Sequence, residues 1–134
     1  MKLDTKSFAN SVRRLREGLV RCAREPADDQ LRDGLIQRFE FTFELSQKVL
    51  RHYLKEIAAS PDEFERMPFA DLVRTGSAQG LLRADWPAWR RFCEMRGRTS
   101  HTYDAEAAVA VVGAISEFLE EVEHLCTELE RRLK

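Results

Sequence analysis

Apolar residues recur along this chain with the period of an α-helix. Phe8, Val12, Leu15, Leu19 and Cys22 are spaced by four, three, four and three. That spacing lays one apolar stripe along a helix from about residue 5 to 24. Pro26 stops it, and Asp28 or Asp29 stands where a cap for the next helix belongs. A longer helix is predicted over about 28–58. Ile36, Phe39, Phe43, Leu50, Tyr53 and Ile57 draw its main stripe, and Leu31, Leu35, Leu45 and Val49 widen it. A helix this broadly apolar is buried on more than one side. Within it, Phe39-Glu40-Phe41-Thr42-Phe43 alternates with period two, the signature of a strand. The 3.6-residue period continues unbroken on both sides and no turn residue bounds the run, so the helix reading prevails. Ser60-Pro61 closes this helix.

Residues 61–82 are less regular. A short helix is predicted from Pro68 to Gln79, stopped by Gly80. Asp85-Trp86-Pro87 reads as a helix start with proline in the first turn, where its missing N–H costs little. Trp89, Phe92, Cys93 and Met95 give that helix its apolar side, and Gly97 interrupts it. Asp104 caps the last helix, and Glu106 in its first turn suits the dipole. Its core stripe is Ile115, Phe118, Leu119, Val122, Leu125, Cys126 and Leu129. The pattern predicts a single all-α domain over residues 1–134. Its expected architecture is an up-and-down antiparallel bundle of four to five helices with short connections.

Composition adds limits. The chain has 134 residues, 34% of them charged, and a net charge of −1. No global field favours nucleic acid. The distribution is uneven, however. Residues 1–24 carry seven Lys/Arg against Asp4 and Glu17, and residues 104–134 carry eight Asp/Glu against three Lys/Arg. Arg83, Arg90, Arg91, Arg96 and Arg98 form a local basic cluster. Cys22, Cys93 and Cys126 are odd in number and widely spaced, without a CxxC or His/Cys ligand pattern. A zinc site and a disulfide framework are therefore not expected. No apolar run approaches the ~20 residues that span a bilayer, and Met1-Lys2-Leu3-Asp4 does not open a signal peptide. The expectation is a cytoplasmic protein with reduced thiols, no metal and no cofactor.

Candidate chemistry concentrates in Arg96-Gly97-Arg98-Thr99-Ser100-His101-Thr102-Tyr103. Arginine is a permanent cation whose fork of donors fits phosphate. Histidine moves protons near neutral pH. Together they suit chemistry on a phosphodiester. Arg98 and Ser100 are candidate phosphate or substrate contacts, and the Tyr103 hydroxyl is a hydrogen-bonder or a modification target. The plainer alternative is that Arg96 and His101 cap and cross-link a helix junction. His52 and His124 read as surface residues, and Trp86 and Trp89 as core or dimer contacts. Phe39, Phe41 and Phe43 cannot all face one core from one helix, so they divide between core and interface. The acidic last helix reads as a solvated face.

Two segments carry a resemblance. One is Arg38-Phe39-Glu40-Phe41-Thr42-Phe43-Glu44-Leu45 with Lys48-Val49-Leu50 and Tyr53-Leu54. The other is Arg96 to Tyr103, an Arg-x4-His-x-Tyr element, followed by Asp104. The chain resembles the HEPN superfamily, specifically the small bacterial nucleotidyltransferase substrate-binding proteins. That resemblance implies a helical bundle like the C-terminal domain of antibiotic nucleotidyltransferases. It also implies a homodimer and a minimal nucleotidyltransferase as partner. For the toxin–antitoxin branch it implies a metal-independent ribonuclease site at Arg96 and His101, acting on RNA, and attachment of AMP to Tyr103 by the partner. The family often places asparagine after the arginine; here Gly97 stands there, with Arg98 supplying a nearby cation. The alternatives are a non-catalytic substrate-binding subunit and a purely structural helical dimer. No Gly-Ser loop followed by paired aspartates occurs, so the chain is not itself the nucleotidyltransferase.

Overall fold

The computed structural model describes residues 4–101 and 104–133. Its helices are α1 (Thr5–Arg24), α2 (Asp29–Ile57), α3 (Pro61–Glu65), α4 (Phe69–Ala78), α5 (Trp86–Gly97) and α6 (Ala105–Arg132), with a 3-10 turn at Thr99–His101. Among the described residues there is no strand. Short polar side chains set the helix starts. Asp4 accepts the Ser7 N–H at 3.1 Å. Asp28, of the two candidates, caps α2 through the Gln30 and Leu31 N–H groups. Asp104 accepts from Glu106 at 2.9 Å. Each satisfies donors that the first turn leaves without an intrahelical partner.

The region between α2 and α4 differs from the expectation. Pro61 does not merely end the long helix. It sits in the first turn of α3, a five-residue helix, where proline's fixed φ is already helical. The end of α4 follows from Gly80, whose φ of +78° lies where residues with a Cβ are strained. It lets the Leu81 N–H reach Gly76 O at 2.9 Å and the Gly80 N–H reach Ser77 O at 3.1 Å. These two bonds satisfy the last carbonyls of the helix. From α6, Arg132 donates to Gln79 O at 2.7 Å, and His124 Nε2 lies 3.0 Å from Gly80 O. His124 is thus a tether between α6 and this turn, not a bare surface residue.

α1 packs on α2 and α6, and α5 packs on α6, with α4 between α2 and α5. Phe118 on α6 is the hub of the core. Its ring centroid lies 5.0 Å from Phe39, 5.3 Å from Phe92, 5.8 Å from Trp89 and 5.9 Å from Phe43. Most of these are edge-on or tilted contacts, the geometry that aromatic quadrupoles favour. Phe39 and Phe43 therefore share one core, while Phe41 is 64% exposed. Trp89 is buried, and Trp86 packs at the core's edge against Phe69.

One acidic residue of α6 departs from the solvated reading. Glu121 is 4% exposed. Its carboxylate accepts the Trp89 indole N–H at 3.0 Å and the Ala84 N–H at 3.1 and 3.2 Å. A buried carboxylate persists when hydrogen-bond donors replace its water. Here they fix the entry to α5, the helix that carries Arg96.

Candidate functional site

Arg96 lies in the last turn of α5, where a cation complements the helix dipole. Its guanidinium bridges to α2. Nη2 donates to Glu44 Oε1 at 2.7 Å, and Nη1 lies 3.8 Å from Glu40 Oε2. Nη1 also donates to Thr99 Oγ1 at 3.2 Å, and that hydroxyl donates to Arg96 O at 2.8 Å. Thr99 is only 6% exposed. The threonine thus folds the chain back onto the arginine as the helix ends. Three successive bonds continue the turn: Arg98 N–H to Met95 O, His101 N–H to Arg98 O and Asp104 N–H to His101 O, each 3.0 Å. The same tight connection presents Arg96 and His101, and Arg98, Ser100 and His101 are all exposed. Tyr103, the expected modification site, lies outside the described residues, as does Thr102.

Glu40, Glu44 and Thr99 belong to this site, and reading by motif did not assign them to it. Glu40 and Glu44 stand four residues apart, hence on one face of α2. That spacing was the available signal, but nothing local told which of many cations they meet. Their effect is electrostatic. Two carboxylates beside one guanidinium offset the charge of Arg96, so an incoming phosphate competes with Glu44 for it. The wider basic cluster is also partly neutralised: Arg91 pairs with Glu117 at 2.7 Å and Arg90 with Glu94 at 3.5 Å.

The same contacts make Arg96 a cross-link between α5 and α2. Its side chain is 33% exposed, so solvent screens the pair. Arg96→Ala is expected to cost about 1 kcal/mol, lowering the melting temperature by roughly 3–6 °C. Thermal denaturation followed by circular dichroism measures this. An unchanged melting temperature would show that the bridge carries no weight in the fold.

Gly97 does not leave a cramped site. A Cβ built there meets nothing within 4 Å, so a polar side chain such as asparagine has room. The thiols are poor candidates for chemistry. Burial and then Glu94 push Cys93 up, and burial with Glu130 pushes Cys126 to about 11. Both stay protonated at neutral pH, and the thiolate is the reactive form. Cys22 is buried. Among the described residues no three His, Cys, Asp or Glu side chains gather to hold a metal, and no helix is long and apolar enough to cross a membrane.

Comparison with known proteins bears on the family and the fold. A protein of Haemophilus influenzae named "Probable ribonuclease HepT" is 39% identical over 104 residues, covering 78% of this chain and 70% of its own length. A solved structure, HI0074 of Haemophilus influenzae, superposes with a TM-score of 0.88 at 31% identity, covering 95% of this chain and 99% of that one. It is described as revealing the fold of a substrate binding domain of a nucleotidyltransferase. The sequence model for "Nucleotidyltransferase substrate binding protein like" proteins matches residues 3–131. With the family model matching nearly the whole chain, the chain belongs to the nucleotidyltransferase substrate-binding protein family.

Proposed function

We propose that this protein is the HEPN-type partner of a minimal nucleotidyltransferase and a toxin–antitoxin component. In this reading it is a metal-independent endoribonuclease whose site is built on Arg96 and His101. The observation that carries the reading is the connection from α5 to α6. It holds an arginine and an exposed histidine on one tight turn, in a chain 39% identical to a protein named as a probable ribonuclease.

Cleavage without metal needs the 2′-hydroxyl deprotonated, the 5′-oxygen protonated as it leaves, and the phosphate charge stabilised. Arg96 supplies the last when phosphate takes the place of Glu44. His101 supplies one proton transfer. A single histidine per chain cannot be acid and base at once, so a homodimer with two-fold symmetry brings the second His101. The case for a dimer rests on this chemistry. The apolar girth of α2 does not demand one, because most of it is buried within the single chain. Light scattering at about 10 µM, where a standard-size interface is filled, gives a dimer mass in this account. A monomer there removes the symmetric site.

The partner's role is regulatory. Incubation with the nucleotidyltransferase and ATP is expected to add the mass of AMP at Tyr103, and Tyr103→Phe blocks the gain. The adduct adds bulk and negative charge two residues along the chain from His101, so in this reading it inhibits by occlusion and repulsion. Peptide mass spectrometry reads the outcome; an adduct at another residue sinks the assignment.

The second reading is a non-catalytic subunit that presents a substrate to the nucleotidyltransferase. The ion pairing of Arg96 by Glu40 and Glu44, with Gly97 in place of a polar residue, favours it. Its signature is a stable complex with the nucleotidyltransferase and no RNA cleavage by well-folded protein.

A further inference from the structure

Two grooves flank the exposed side of α2. The larger, of about 750 Å³, runs between α2 and α3. It holds Lys48, Arg51 and Lys55, but Lys55 is paired with Glu65, and Arg51 Nη1 is spent on the carbonyls of Phe64, Glu65 and Met67. These contacts fasten α3 and the loop after it to α2, so this groove is a joint.

The smaller groove, of about 480 Å³, lies between α1 and α2 and is built differently. Arg14 and Arg38 line it, and no carboxylate does among the described residues. The Arg38 guanidinium is fixed: Nη1 donates to Arg14 O at 2.7 Å, and the side chain lies across α1 at Gly18, where an added Cβ would meet it at 3.2 Å. Gln37 adds an amide that can donate and accept, and Asn10, whose Oδ1 already accepts from the Arg13 guanidinium, adds an NH2 that can donate. Phe41 borders the groove with 64% of its surface in solvent. Exposing a phenylalanine has a cost in water that the fold does not recover. Its neighbours on α2, Glu40 and Glu44, are the residues that hold Arg96.

We propose that this groove is a nucleotide subsite for single-stranded RNA. A base stacks on Phe41 with its edge read by Asn10 and Gln37, and an adjoining phosphate is held by Arg14 and Arg38. A volume near 500 Å³ falls in the range of small-ligand pockets. An aromatic face beside cations is how single strands are held without a fixed sequence. The choice of RNA rests on the ribonuclease reading above; the fit of this cationic, aromatic groove to an anionic ligand with a planar ring does not. Glu44, three residues from Phe41 on α2, holds Arg96, so a strand leaving the groove on that side of α2 heads toward the Arg96 cluster.

The test uses the full-length His101→Ala protein, which cannot cleave in this account, and a fluorescently labelled single-stranded oligoribonucleotide. Phe41→Ala added to it is expected to weaken binding about 5–150-fold, the effect of losing one stacked base, while Phe41→Trp retains it. Arg14→Glu should weaken binding and flatten the log–log salt dependence by about one unit. A duplex of the same sequence should compete poorly. Unchanged affinity in Phe41→Ala overturns the subsite. So does unchanged RNA affinity together with loss of self-association or of nucleotidyltransferase binding, which makes the groove a protein interface. The two proposals fail separately. Phe41-dependent binding with no cleavage by wild type leaves the groove and removes the nuclease. Cleavage by wild type with a Phe41-independent KM does the reverse.

Discussion

His101→Ala is expected to lower the rate of RNA cleavage by ~10²–10⁴-fold, the worth of a positioned acid or base, with little change in the fold. The side chain is exposed on the 3-10 turn, and exposed substitutions usually stay within about 0.5 kcal/mol. The backbone bonds of the turn, from His101 N–H to Arg98 O and from Asp104 N–H to His101 O, do not depend on the imidazole. Rate and melting temperature measured on the same preparation separate chemistry from folding. Wild-type activity in the variant would remove His101 from the mechanism. Arg96→Ala should also abolish cleavage, but with the loss of stability its bridge to α2 implies. The two substitutions thus differ in a way that a common structural role would not produce.

Phe118→Ala carries the largest expected cost to stability. Removing a fully buried phenylalanine typically costs about 3–5 kcal/mol, a large share of the 5–15 kcal/mol that holds a domain folded. Phe118 is 0% exposed and meets rings from α2 and α5. The cavity therefore opens where three helices converge and where relaxation has least room. Urea denaturation should show a lower midpoint with an unchanged slope. A shift equivalent to less than about 1 kcal/mol would mean that the cluster repacks and is not the keystone. Because α5 hangs on this cluster through Trp89 and Phe92, loss of Phe118 should also loosen the turn that carries Arg96 and His101.

What the sequence made legible divides by distance along the chain. Helix period and caps are local, and they placed α1 and α2 nearly to the residue and the start of α6 at its cap. Asp28, Asp104 and Gly80 each act within a few residues of themselves. Gly97 marked the end of α5 for the same reason. The α3 helix was missed because five residues are too few to show a period, and Pro61 reads equally as a stop or a start. Glu121 was missed because its burial depends on Trp89 and Ala84, 32 and 37 residues away. Within an acidic run nothing distinguishes it from its solvated neighbours. The Arg96 cluster was half legible. The arginine, the histidine and their spacing stand in the sequence, whereas the Glu44 bond joins residues 52 apart. Packing alone decides that this cation is met by two carboxylates. That meeting sets the electrostatics any phosphate must overcome, and it raises Glu44 from a helix-surface residue to part of the site.

The central claim is that Arg96 and His101 cut RNA by using its own 2′-hydroxyl, with no metal. Analysis of product ends, with a chelator present in excess, tests it most directly. Purified wild-type protein should convert a single-stranded RNA into fragments ending in 2′,3′-cyclic phosphate and beginning with 5′-hydroxyl. A substrate lacking the 2′-hydroxyl at the cut position should survive intact. Folded protein that leaves the RNA whole, or that cuts it to 3′-hydroxyl and 5′-phosphate ends, would contradict the account.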